Sequence, residues 1–201
     1  MQLIFSPTSP FVRKVSVLLR ETGTLDSVEL IPVQTSPTAT DPQVAAANPL
    51  GRIPALIRND GPALYDSRVI TRYLDAKSGG KFYPEQRIWE VLTLEATAEG
   101  ILDSAVSMAY ETKVRPPEKV FDGWLDAQWG KVSGAINAIN TRWMSHLNGP
   151  IDISHIAVGC ALGYLDLRHD ARGWRKGNDA LDDWFATFNA RPSMQATIPV
   201  A

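Results

Sequence analysis

The stretch Leu3-Ile4-Phe5-Ser6-Pro7-Thr8-Ser9-Pro10-Phe11-Val12-Arg13-Lys14-Val15 changes its pattern midway. Leu3–Phe5 is a short apolar run of the kind that forms a buried strand. Pro10 has a fixed φ and no amide hydrogen, so it suits the first position of a helix and leaves Ser9 at the N-cap. Val12, Val15, Ser16, Leu18 and Leu19 then follow at helical spacing. A second strand is expected at Val28–Val33, rich in β-branched residues. Strand, helix, strand makes a parallel pair.

Farther along, Ala55-Leu56-Ile57 and Ala63-Leu64-Tyr65 flank the turn Asn59-Asp60-Gly61, which predicts an antiparallel hairpin. Asp66 then opens a helix with Val69, Ile70, Tyr73 and Leu74 on one face. The order is β-α-β, an irregular loop, then β-β-α: an α/β half with a mixed sheet over residues 1–77. Ser78-Gly79-Gly80-Lys81-Phe82-Tyr83-Pro84 reads as a linker, placed at residues 78–86. Beyond it the patterns are helical: Arg87 to about Tyr110, Glu118–His146, Ile153–Arg168 and Ala180–Asn189. Residues 87–201 are therefore expected to form an all-α domain.

The whole-chain figures narrow the function. With 20 basic and 22 acidic side chains and no basic block, nucleic acid is not an implied partner. No apolar run reaches the roughly 18 residues of a membrane span. The opening segment lacks the charged-then-apolar pattern of a secretory leader. The single cysteine, Cys160, excludes an internal disulfide, cysteine-ligated zinc and CxxC chemistry, and suits a reducing compartment.

Four segments, in register along nearly the whole chain, resemble bacterial glutathione transferases of the serine type. They are Ser6–Val15, Asn48-Pro49-Leu50-Gly51-Arg52-Ile53-Pro54-Ala55-Leu56, Leu64-Tyr65-Asp66-Ser67-Arg68-Val69-Ile70, and Ile156–Asp166. The resemblance implies a thioredoxin-like N-terminal domain, a helical-bundle C-terminal domain, a cytoplasmic homodimer, and glutathione as co-substrate with no metal. The implied reaction joins glutathione to a small hydrophobic electrophile. Isomerase or dehalogenase chemistry with glutathione and a non-catalytic binding module are the alternatives.

On this reading Ser9, with Phe11 and Val12 in the same turn, meets the glutathione sulfur. A free thiol has pKa about 8.5, so lowering it by about 2 units takes about 2.7 kcal/mol of preference for the thiolate. One hydrogen bond to a charged group supplies about 1.5–3 kcal/mol, so a single hydroxyl is about sufficient. Ser9 as a plain helix cap is the alternative role, and Thr8 and Ser6 are alternative donors. Where related glutaredoxin-like proteins carry cysteine this chain has serine, so a mixed disulfide on the protein is not expected.

Pro54 resembles the family's cis-proline, which would present the Ile53 backbone to the tripeptide; a trans-proline opening a strand is the other reading. Asp66 would take the ligand's ammonium and Ser67 the γ-glutamyl carboxylate at a helix N-terminus, or Asp66 would simply cap that helix. Arg52 would face the glycyl carboxylate, or stay solvated. Tyr110 and Trp143 are candidates for the electrophile pocket. In the second domain Asp152 reads as an N-cap, with His155 where the family usually has an acid that completes a capping box; histidine is expected to weaken it. His146 and His169 have no ligand-like spacing.

Overall fold

The computed structural model describes residues 1–199. Its internal packing divides the chain into two units, residues 1–84 with the segment from Pro192 onward, and residues 85–191. In the first unit β1 (Gln2–Phe5) is the central strand of three. It runs parallel to β2 (Glu29–Pro32), with Leu3 opposite Leu30, and antiparallel to β3 (Ala55–Ile57), with Ile4 opposite Ala55. Two helices flank the sheet and pack on each other, α1 (Pro10–Glu21) and α3 (Ser67–Lys77). This is the thioredoxin-like mixed sheet that the sequence predicts.

Two local readings change. The loop before Asn48 contains a short helix, α2 (Pro42–Ala47). Asp41 accepts the Gln43 amide at 2.8 Å, Pro42 opens the helix, and buried Val44 packs with Ile4, Val33 and Ala55. The hairpin's second arm is a single bridge, in which Leu56 and Leu64 exchange two hydrogen bonds of 2.9 Å. Pro62 has no amide to give to a ladder, and Asp66 already caps α3 two residues beyond Leu64, so the chain leaves the sheet after one pairing.

The linker is anchored by a buried carboxylate. Asp75 accepts the amides of Lys81 (3.0 Å), Phe82 (2.9 Å) and Tyr83 (3.2 Å). Gly80, with φ of 68°, bonds the Asp75 carbonyl at 2.9 Å and turns the chain back past the end of α3.

The second unit is helical. Its long elements are α4 (Ile88–Val114), α5 (Asp122–Arg142), α7 (Ile153–His169) and α8 (Asp179–Asn189), with α4 packed on α5 and α7. The long pattern from Glu118 to His146 divides: Pro117–Lys119 is a single 3₁₀ turn, and Trp143 interrupts the helix before the short α6 (Met144–Leu147). The final helix, α9 (Pro192–Gln195), packs on α1 in the first unit, which departs from one helical domain running from residue 87 to the C-terminus.

Around Asp152 the expected weakness is absent. Asp152 Oδ1 accepts the Ser154 amide at 3.0 Å, and His155 Nδ1 accepts the Asp152 amide at 3.2 Å, so the capping box is complete. A neutral imidazole has one lone pair in the ring plane, and that suffices. The same carboxylate gathers His146 Nε2 (3.0 Å) and the Arg87 guanidinium (3.0 Å) on Oδ2. The two histidines therefore meet at Asp152 despite their sequence spacing, with ligand atoms of all three residues within 4.8 Å. Burial works to raise the pKa of this fully buried carboxylate, but its interaction with His155 and the hydrogen bonds from Ser154 outweigh burial and hold it down at about 2. The cluster is a helix-capping network.

Candidate functional site

Sheet register brings the first unit's candidates to one end. Ile4 pairs with Ala55, so the chain leaving β1 into Ser6–Ser9 passes the residues just before Ala55, namely Ile53 and Pro54. Leu56 pairs with Leu64, so the chain leaving that bridge toward Asp66 and Ser67 points the same way. Helix starts of α1 and α3 thus lie at the same edge as the Ile53–Pro54 corner. The Ile53–Pro54 bond is cis, as the resemblance implies. The Tyr65–Asp66 bond is cis as well, which the sequence does not reveal.

Ser9 stands at the N-cap of α1, half-buried, and its Oγ accepts the Val12 amide at 3.3 Å. Accepting through a lone pair leaves the hydroxyl hydrogen to be donated elsewhere, and among the described residues it meets no acceptor. Ser6 and Thr8 are differently engaged: their hydroxyls lie 3.4 Å apart and face each other. Capping and donating are therefore compatible roles for Ser9. Val12 is buried and its amide is committed to Ser9, so it acts by holding that side chain; Phe11 is half-buried in the same turn.

At the second helix start Asp66 is exposed and accepts the Arg68 amide at 3.0 Å, while its other oxygen pairs with the Arg68 guanidinium at 2.8 Å. Burial works to raise its pKa, but the Arg68 hydrogen bond and charge, with a further contribution from Lys14, hold it below the usual carboxylate value. Ser67 is buried at the first helical position of α3. Arg68 and the fully buried Lys14 are the residues that sequence reasoning passed over. The signal for Arg68 was its place two residues after an acidic cap; Lys14, in the middle of an amphipathic helix, gave none.

Arg52 is exposed; its carbonyl accepts from Asn48 Nδ2 at 2.8 Å, which fixes the loop that precedes the cis-proline. Gly51 in this loop has φ of 63°, and a Cβ there would sit 3.0 Å from Thr40 Cγ2, so the tight approach requires glycine.

In the helical unit the two residues proposed for one pocket are separated. Trp143 packs edge-on against His146 at 5.7 Å, and His146 joins Asp152 and Arg87 at the start of α4. Tyr110 lies farther along α4, about six turns or about 33 Å away. Tyr110 is 45% exposed, whereas Trp143 belongs to the aromatic packing at the opposite end of the unit. Helix length keeps the pair apart.

Comparison with known proteins gives a consistent answer. Residues 8–77 match the sequence model of the glutathione S-transferase N-terminal domain, and residues 122–187 that of the glutathione S-transferase C-terminal domain. The chain is 31% identical over 180 residues to an Escherichia coli (strain K12) protein described as the uncharacterized GST-like protein YibF, covering 87% of this chain and 86% of that one. A glutathione transferase family member from Pseudomonas fluorescens Pf-5, solved with bound glutathione, is 44% identical with a TM-score of 0.97, covering 100% of this chain and 99% of that one. A second structure from that organism, with bound S-(propanoic acid)-glutathione, is 43% identical with a TM-score of 0.92 and covers 100% of both chains. With both domain models in place and a relative of this identity along most of its length, the chain belongs to the glutathione S-transferase family.

Proposed function

We propose that this protein is a glutathione transferase that joins the thiolate of reduced glutathione to a small hydrophobic electrophile. The observation that carries the reading is Ser9: an N-cap hydroxyl whose oxygen is held by the Val12 amide and whose hydrogen is uncommitted among the described residues. Bound glutathione lies along residues 1–77, its backbone paired with Ile53 beside cis-Pro54. Its γ-glutamyl carboxylate sits at the α3 start with Ser67, its ammonium on Asp66, and its glycyl carboxylate near Arg52. The likeness to proteins solved with bound glutathione supports this placement.

In the reaction the thiol proton leaves to solvent and the Ser9 hydroxyl donates to the remaining thiolate. The sulfur lone pair then forms a bond to an electrophilic carbon. In substitution the leaving group departs with its bonding pair; in addition to an activated double bond, the neighbouring carbon takes up a proton from water. The step as written needs no metal and no redox partner. The protein works as a cytoplasmic homodimer, in line with the family's habit.

The test is turnover with a panel of electrophiles, reading conjugates by mass spectrometry. The panel includes a halonitroarene and acrylate, since the bound conjugate of the Pseudomonas relative carries a propanoic acid on sulfur. Enzyme-dependent conjugate supports the reading; glutathione binding without turnover of any member points to a binding module on the same fold.

A further inference from the structure

The C-terminal segment straps down the helix that carries Ser9. Arg13, one turn into α1, is almost completely buried. Its amide donates to the Ser9 carbonyl at 3.0 Å, and its guanidinium reaches the last stretch of chain, with Nη2 to the Met194 carbonyl at 3.1 Å and Nε to Thr197 Oγ1 at 3.4 Å. Thr197 can accept because its own hydroxyl hydrogen goes to the Ser193 carbonyl at 2.9 Å. At the other end of α1, Ser193 donates to the Glu21 carboxylate. The segment therefore grips α1 at two points, one turn from Ser9 and near the helix C-terminus.

A buried guanidinium answered, among the described residues, by a carbonyl and a hydroxyl is an expensive arrangement for mere packing, since an apolar side chain of similar size would fill the space with no desolvation cost. What it provides is direction. The first turn of a helix frays readily, because its amides have no partners within the helix. A donor one turn from the N-cap, tied to a second piece of chain, limits that fraying.

We propose that Arg13, anchored by Met194 and Thr197, is a positioning residue that holds the Ser9 hydroxyl at the glutathione sulfur. The proposal rests on the reading of Ser9 as the thiolate's donor. It acts through Ser9 and touches no reacting atom.

The experiment measures the thiol pKa of bound glutathione from its thiolate absorbance in the wild type and in S9A, R13M, R13K, T197V and S193A. Loss of the Arg13 anchor is expected to raise that pKa by about one unit, a loss of thiolate that approaches tenfold at pH well below the pKa, in R13M and to a smaller extent in T197V. R13K is expected to restore part of it. S193A loosens only the far end, so it is expected to lower the melting temperature with no change in thiol pKa. A pKa unchanged in T197V and in folded R13M, or moved equally by S193A, overturns the proposal. If R13M does not fold, T197V against S193A decides it. An S9A value equal to wild type would instead sink the Ser9 reading on which the proposal stands.

Discussion

Replacing Ser9 by alanine removes two things at once, and the structure separates their sizes. The first is the N-cap: Ser9 Oγ accepts the Val12 amide at 3.3 Å, a long bond. Loss of such a cap costs about 0.5–2 kcal/mol, and the length of this one places it toward the lower end. The second is the donor to sulfur. A hydrogen bond to a charged group is worth about 1.5–3 kcal/mol, which corresponds to a rise of roughly 1–2 units in the bound thiol's pKa. At neutral pH, from a starting pKa near about 6.5, the thiolate population and the conjugation rate with it fall roughly 3- to 25-fold, while glutathione affinity changes little because Ile53, Asp66 and Ser67 are untouched. The assay is thiolate absorbance of the complex against pH, paired with thermal denaturation. A thiol pKa in S9A equal to wild type, together with a raised value in S6A or T8A, would refute the assignment and move the donor within the turn.

Other expectations follow from the same geometry. Asp66→Asn keeps an effective cap on α3 but removes the charge offered to an ammonium; glutathione affinity by calorimetry is expected to fall about tenfold with helix stability retained. Asp75→Ala strands three linker amides and should lower unfolding free energy in urea by about 2–4 kcal/mol. Burial, partly offset by the attraction of Asp152, holds the His146 pKa below the usual histidine value of about 6.5. The unfolded chain then binds the proton first, so stability is full above about pH 7 and declines as pH falls through the window below 6.5. His169, also lowered by burial, adds to that decline. Asp152 has the depressed-carboxyl sign, with stability present above 3.8 and lost as pH falls toward about 2. Equilibrium denaturation across that range, with H146Q flattening the upper window, checks both.

The parts of the fold set by short-range patterning were readable. Apolar runs marked β1, β2 and β3, the Ser9-Pro10 pair marked the start of α1, and Asp66 and Asp152 marked their helix starts. Helix α2 was missed although Asp41-Pro42 carries the same cap-then-proline signal, because six residues are too few to display a helical period. The reduced hairpin arm followed from Pro62, whose missing amide outweighs a strong turn signal. Distances across the fold were the less legible part. Nothing in the spacing of His146, Asp152 and Arg87 shows that they share one carboxylate, or that Trp143 therefore stands at the opposite end of α4 from Tyr110. The strap of Arg13 to Thr197 is likewise a pairing of residues far apart in sequence.

The central claim is that the edge formed by Ser9, Ile53–Pro54 and Asp66–Ser67 binds glutathione, and calorimetric titration of the purified protein with reduced glutathione tests it most directly. Saturable binding is expected with a Kd between about 1 μM and about 1 mM, or roughly −8 to −4 kcal/mol, weakened in Asp66→Asn. Absence of binding at about tenfold above that range would contradict it, leaving these residues as inherited scaffold.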